Sequence, residues 1–440
     1  RSYKFRTVPH VMEIPEKAKT HATSGLPVMN IHTEVTPTVQ QTPSPPAAPK
    51  SRKRATRATR ATRVLALATA SAGMLLAACG SSSPTASTST STTTASGSDP
   101  YLAADLKAGA AQLTGAGSTF VQPVFTKAFY TYSSKNSGVT VNYQAVGSGA
   151  GITAFEGGTV NFGASDVPMA AADVAKAPAA YGGVLQVPDT LGGVTLSYNL
   201  PGVKTGLKLD APTIAGIFAG TISKWNDPAI TALNPGVSLP SQPITTVHRS
   251  DSSGTTYIFT DYLNTVSTTW AAGPGKGKSV TWPASSVGSA GNSGVAGSIK
   301  STPYSIGYVE LAYALQNSFT YAAVKNVAGS YVTPSLASVG ADAAQKPNVS
   351  STDFSIVNQA GSGSYPISGY SWALIAKKQS SAATGKSLVA VLDWLTHTGG
   401  GQDQSASLDY VPLPTNIQTL ARQTLLMVTG PDGTTPLLTK

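Results

Sequence analysis

The chain has 440 residues, one cysteine, 11% charged residues and a formal net charge of +10. That charge sits at one end: residues 1–78 carry 12 Lys/Arg against 3 Asp/Glu, and residues 79–440 carry 18 against 17. A body so close to neutrality gives no footprint for nucleic acid, a lone cysteine excludes an intramolecular disulfide, and the length leaves room for two domains.

Residues 1–49 are rich in Pro and Thr and read as an N-terminal extension, expected to come from an over-extended start site. Residues 50–78 follow as a basic stretch, Ser51-Arg52-Lys53-Arg54 with repeated Ala-Thr-Arg, and then an apolar run from Val64 to Ala78. That run is too short to span a bilayer comfortably and ends Leu76-Ala77-Ala78-Cys79, the pattern of an export signal. The segment resembles a bacterial lipoprotein signal, which implies lipidation of Cys79 and anchoring to the outer face of the cell membrane. Residues 79–110 are read as the lipidated cysteine and a flexible tether, because Gly80–Pro100 is almost entirely Ser, Thr, Ala, Gly and Pro.

The folded body is expected to begin near Ala111. Phe120, Val121, Val124, Phe125, Ala128, Phe129 and Tyr132 recur at helical spacing, with Pro123 tolerable in a first turn. Val139, Val141, Tyr143 and Ala145 alternate with polar residues as in a half-buried strand, and Val160–Gly163 is a second strand candidate. Ile244–His248 reads as a strand feeding a loop, and Thr256–Leu263 as the helix after it. Strands alternating with helices point to an α/β architecture. The stretch Gly273–Gly297, rich in Gly, Ser and Pro, is expected to be irregular.

Four segments share one design, a strand end, a glycine loop with hydroxyls and a helix start. They are Gly115–Phe120, Gly147–Gly151, Gly163–Asp166 and Arg249–Thr255. Glycine lets backbone N–H groups approach a ligand, and hydroxyls donate to an oxyanion. Arg249 is one of two arginines after Cys79, and its planar donors match an oxyanion. A surface turn with an Arg249–Asp251 pair is the plainer reading of that loop. Asp166 accepts only, so within donors it suits an anion that brings its own proton, as phosphate does and sulfate at neutral pH does not. Its plainer reading is a helix N-cap before Val167-Pro168.

From about Leu113 onward the chain resembles the phosphate-binding lipoproteins and periplasmic proteins of the bacterial high-affinity phosphate ABC importer. The resemblance rests on Leu113-Thr-Gly-Ala-Gly-Ser-Thr-Phe120, Val141-Asn-Tyr-Gln144, Phe162-Gly-Ala-Ser-Asp-Val-Pro168 and Lys224-Trp-Asn-Asp-Pro228. Leu233-Asn-Pro-Gly236, Leu239-Pro-Ser-Gln242, Arg249–Thr255 and Ile306-Gly-Tyr-Val-Glu310 extend it. It implies a two-lobed venus-flytrap of type II, with residues 111–189 plus 364–440 as lobe I, 190–363 as lobe II, and two crossovers near Gln186–Gly193 and Gly361–Ile367. Phosphate contacts are implied for Thr119, Phe120, Ser148, Asp166, Arg249, Ser253, Gly254 and Thr255, with Asp251 orienting Arg249. Gly149-Ala150-Gly151 departs from the family pattern, which leaves the N–H contacts beside Ser148 less defined. The implied partners are inorganic phosphate and membrane permease subunits, for an extracytoplasmic monomer with no cofactor, no metal and no catalytic residue.

The competing readings are a secreted phosphate-ester hydrolase, a binder of another tetrahedral oxyanion, and an adhesin or signalling lipoprotein. Against hydrolysis, the chain lacks Gly-x-Ser-x-Gly and His-Glu-x-x-His patterns. His10, His21 and His32 precede the signal, which leaves His248 and His397 in the body, and His248 reads as a strand-end surface residue. Trp225 and Trp394 read as core aromatics.

Overall fold

The computed structural model describes residues 100–439; the extension, the signal, Cys79 and most of the tether lie outside these residues. A short helix, α1 (Pro100–Asp105), precedes the first strand, so the body starts earlier than hydrophobic periodicity indicates, inside the stretch 79–110 read as tether. Leu102 and Asp105 are buried, and Tyr132 donates to the Asp105 carbonyl at 2.6 Å. One buried leucine is too weak a periodic signal to read from sequence.

The first βα units run β1 (Ala111–Gly117), α2 (Gln122–Lys135), β2 (Val139–Ala145), α3 (Ser148–Glu156) and β3 (Phe162–Ser165), followed by the single turn α4 (Ala171–Val174). Alternation sets β2, and the apolar face of α2 buries Val124, Phe125, Ala128, Phe129 and Tyr132. The third strand lies two residues later than Val160–Gly163, because all four residues of Phe162–Ser165 are buried and such a run does not alternate. A 16-residue strand follows, β4 (Val184–Asn199).

Beyond it come β5 (Lys208–Leu209), α5 (Ala211–Phe218), α6 (Pro228–Leu233), β6 (Thr245–Arg249), α7 (Gly254–Val266) and α8 (Thr268–Ala272). Asp210, Asp227, Ser253 and Ser267 cap the four helices by accepting backbone N–H groups. Then follow β7 (Val287–Ser289), α9 (Gly291–Ser301), β8 (Ser305–Glu310) and α10 (Leu311–Gln316). The expectation that Gly273–Gly297 is irregular fails in its second half. Gly291, Gly294 and Gly297 lower the helix propensity of α9, but Val295, Ala296 and Ile299 bury one face of it, and that packing decides. The chain closes with β9 (Thr320–Tyr321), β10 (Ala323–Lys325), β11 (Tyr331–Val332), α11 (Leu336–Gln345), β12 (Ser368–Ala376), α12 (Ala382–Thr396) and α13 (Thr415–Leu425).

The main sheet runs β2-β1-β3-β12-β4-β8-β6-β7, with β9 also on β4, and β11-β10-β5 form a small separate sheet. β1, β2 and β3 are mutually parallel, and β12 runs antiparallel to both β3 and β4. β4 changes partner along its length: Val184–Gly193 pair with β12, and Val194–Asn199 pair with β8. β8 is antiparallel to β4 and parallel to β6, which is parallel to β7. The register points the carboxyl ends of the two strand sets at each other from either side of the middle of β4. Ser165 lies opposite Trp372, which lies opposite Pro188, while Glu310 lies opposite Val194. The loops of both half-sheets thus converge on the middle of β4, the position where α/β sheets bind ligands.

Close packing of α3 onto β1 depends on Gly151, where an added Cβ would lie 2.4 Å from the Gly117 Cα and 2.7 Å from the Ala116 carbonyl oxygen. Neither backbone atom can rotate away. Gly151→Ala is expected to lower the unfolding free energy by about 1–3 kcal/mol, measured by denaturant titration; an unchanged midpoint would refute this account of the α3–β1 contact.

Candidate functional site

Every loop singled out from sequence reaches the middle of β4. Ser118–Phe120 follow β1, Ser148 opens α3, Asp166 follows β3, and Arg249 ends β6 ahead of the α7 N-terminus. The Gly147–Gly151 segment is the first turn of α3 rather than a free loop, since Gly151 N–H already bonds the Gly147 carbonyl. The half-sheets touch here. Gly149 N–H donates to the Ser252 carbonyl at 2.9 Å, and Gly254 N–H donates to Ser148 Oγ at 3.0 Å. Glycine at 254 is required by space, because a Cβ would stand 2.5 Å from the Asp166 side chain.

Arg249 is buried, and its Nε and Nη2 grip Asp251 at 2.7 and 2.5 Å. Asp251 Oδ1 also accepts Gly291 N–H at 3.0 Å. Burial pushes the Asp251 carboxyl up, but the guanidinium and this N–H outweigh it and hold the group below the usual range. Arg249 Nη1 lies 3.4 Å from Thr255 Oγ1, and its backbone N–H donates to the Tyr308 hydroxyl at 3.0 Å. Of five guanidinium N–H groups, two have no protein partner among the described residues. The Arg249–Asp251 pair of the plainer reading is present, with Arg249 buried and Asp251 half-buried.

Asp166 is also buried, and its Oδ1 has no hydrogen-bond partner among the described residues. It caps no helix: α4 begins beyond it, with Ala170 at the N-cap. Burial raises its pKa to about 6, and the nearby hydroxyls of Ser118, Ser371 and Thr255 and the charge of Arg249 pull against that rise. Around it the hydroxyls are arranged as donors. Ser148 Oγ accepts from Gly254 N–H and from Asp166 N–H, at 3.0 and 3.3 Å. Ser253 Oγ accepts the Thr256 N–H at 3.1 Å, and Ser118 Oγ accepts the Phe120 N–H at 2.9 Å. The N–H groups of Phe120 and Gly254 thus already have an acceptor within the protein.

Three residues that sequence reasoning passed over also belong here. Asn292, at the start of α9, reaches Thr119 and Thr255; its signal was a fifth strand–glycine–helix junction, Ser289-Ala290-Gly291-Asn292. Asp189 on β4 and Glu310 at the end of β8 are buried carboxyls with unpartnered oxygens. Burial, reinforced by the charge of Asp166, drives both well above the usual carboxyl range. Neither carried a sequence signal, since an isolated Asp or Glu is most often exposed. His248 is half-buried and stacks on Trp282 with ring centroids 5.0 Å apart, which corrects its reading as a surface residue. His397 bonds the Asp393 carbonyl on α12. Trp225 and Trp394 are fully buried. Among the described residues no cluster of His, Cys, Asp or Glu is placed to hold a metal, and no helix is long and apolar enough to cross a membrane.

Residues 81–398 match the model of the PBP superfamily domain. The phosphate-binding protein PstS of Xylella fastidiosa is 42% identical over 309 residues, covering 70% of this chain and 82% of that protein. PstS of Pasteurella multocida is 42% identical over 327 residues, covering 73% and 92%. This chain belongs to the PstS family. Solved structures agree on the fold: a periplasmic phosphate-binding protein bound with phosphate superposes with a TM-score of 0.57 at 24% identity, covering 72% of this chain and 94% of that one. The phosphate-binding protein of Stenotrophomonas maltophilia gives 0.56 at 18% identity, covering 71% and 93%.

The raised pKa of Asp166 has a consequence for stability. Its folded value of about 6 exceeds the ordinary aspartate value of 3.8, so the unfolded chain loses this proton first as pH rises. The group's contribution is most favourable below about pH 4 and declines by roughly 3 kcal/mol as pH climbs to about 6. Asp166→Asn removes that decline. In anion-free buffer the variant is expected to gain on the parent between about pH 4 and 6 and then hold a constant advantage, followed by thermal unfolding. A difference independent of pH would refute the raised value.

Proposed function

We propose that this chain captures inorganic phosphate in the cleft at the middle of β4 and delivers it to the permease of an ABC importer on the outer side of the membrane. The observation that carries the reading is one buried carboxyl, Asp166, with an unpartnered oxygen inside a ring of donors. Phosphate offers acceptor oxygens to the donors and shares its proton with Asp166. Sulfate offers no proton and leaves its oxygen facing a bare carboxylate, an unpaired buried contact that lowers sulfate affinity by orders of magnitude.

In this reading Arg249, oriented by Asp251, turns its two spare N–H groups on the anion. The hydroxyls of Thr119, Ser148, Ser253 and Thr255 add donors, while Phe120 and Gly254 N–H groups are shared between the anion and Ser118 and Ser148. Residues 111–189 with 364–440 form one lobe and 190–363 the other, hinged where β4 changes partners. Residues 50–78 act as a signal, with Cys79 lipidated and residues beyond it tethering a monomeric body to the membrane.

Calorimetric titration of the purified chain with phosphate and sulfate, with phosphomonoester hydrolysis assayed on the same sample, tests this reading. Expected are micromolar or tighter phosphate binding, at least about 100-fold weaker sulfate binding and no turnover. Equal affinities, or hydrolysis above background, would refute it. Asp166→Asn is expected to erode the preference for phosphate over sulfate, and a variant that keeps the full preference would remove Asp166 from the mechanism.

A further inference from the structure

Asn292 is fully buried at the start of α9 and joins three chain segments. Its Oδ1 accepts the backbone N–H of Glu310 at 3.1 Å. That N–H can only donate, which fixes the amide's orientation and turns Nδ2 towards two hydroxyls. Nδ2 donates to Thr119 Oγ1 at 3.0 Å and to Thr255 Oγ1 at 3.1 Å, and the Asn292 backbone N–H adds a second bond to Thr119 Oγ1 at 3.1 Å.

A threonine hydroxyl has two acceptor sites and one proton. Thr119 Oγ1 has both sites filled by Asn292. Thr255 Oγ1 has one filled by Asn292 and the other by Arg249 Nη1 at 3.4 Å. Ser148 Oγ is filled likewise by two backbone N–H groups. All three hydroxyls are thereby left with nothing to do but donate. Thr119 follows β1 and Thr255 lies in α7, so Asn292 reaches one hydroxyl from each half-sheet.

We propose that Asn292 is a positioning residue that sets which ligand oxygen carries a proton: by filling the acceptor sites of Thr119 and Thr255 it makes both hydroxyls obligate donors, leaving Asp166 as the acceptor for a protonated oxygen. The inference rests on the phosphate reading above. It adds that the cage discriminates by the place of the proton as well as by its presence. Without the amide, both hydroxyls are free to rotate and accept, and the donor pattern is lost although no group that touches the anion has been removed.

The test is a double-mutant cycle on phosphate affinity, measured calorimetrically on the full chain with wild type, N292A, T119V and N292A/T119V. N292D serves as a second, isosteric variant, because it keeps an acceptor for Glu310 N–H and replaces the Nδ2 donor with an acceptor oxygen; thermal unfolding without phosphate verifies that each variant folds. N292A and N292D are each expected to weaken phosphate binding about tenfold or more, and the N292A penalty is expected to shrink at least about threefold in the T119V background, since the hydroxyl it orients is gone. Penalties that multiply independently would mark a purely structural role and overturn the inference, as would N292A or N292D binding within about twofold of wild type. A wild-type chain that does not bind phosphate would overturn the functional reading itself, and this inference with it.

Discussion

The organisation of the molecule depends on β4, a single strand that serves two sheets. Its first part is held by β12 and its second by β8, and the change occurs between Gly193 and Val194. Because β8 runs antiparallel to β4 while β1–β3 are linked to it through β12, the two strand sets point at one another along one axis. Helix N-termini, glycine loops and strand-end side chains from both sets then meet without any long connection. The site follows from strand register, and the loops need only supply the right polar atoms.

Within that convergence, electrostatics are settled by burial. Three carboxyls lie around the cleft, and one ion pair, Arg249–Asp251, lies against them. Burial drives Asp189 and Glu310 well above the usual carboxyl range, the guanidinium that Asp251 orients holds its carboxyl below that range, and Asp166 sits between these limits. An unpartnered buried oxygen is a standing expense for a protein, and Asp166 is retained where a neutral amide of equal size would fold at least as well. Stability alone gives no reason for that choice.

Much of this was legible in the sequence where chemistry is local. The alternation of β2, the apolar face of α2 and the Arg249–Thr255 run each announce themselves through residue type and spacing, and Asp166 stood out as the wrong charge for an anion seat. What remained hidden depends on distant partners. Asn292 lies 173 residues from Thr119, and its role exists only once α9 is folded. α9 itself was masked by glycines at 291, 294 and 297, whose low propensity is overridden by packing that no window of sequence contains. Asp189 and Glu310 look like any other acidic residues until β4 and β8 bury them. His248 looked exposed for the opposite reason, since the ring that covers it, Trp282, comes from a separate loop.

The tight grip of Asp251 on Arg249 bears on how fast a ligand arrives. A cation whose charge is matched by a carboxylate 2.5 Å away projects almost no field beyond the cleft, and the rest of the body is close to neutral. Capture then gains nothing from electrostatic steering and proceeds by unguided collision with a small opening. Such an encounter is nearly indifferent to ionic strength. The same pairing that limits the reach of the arginine keeps its donors aimed before the ligand enters.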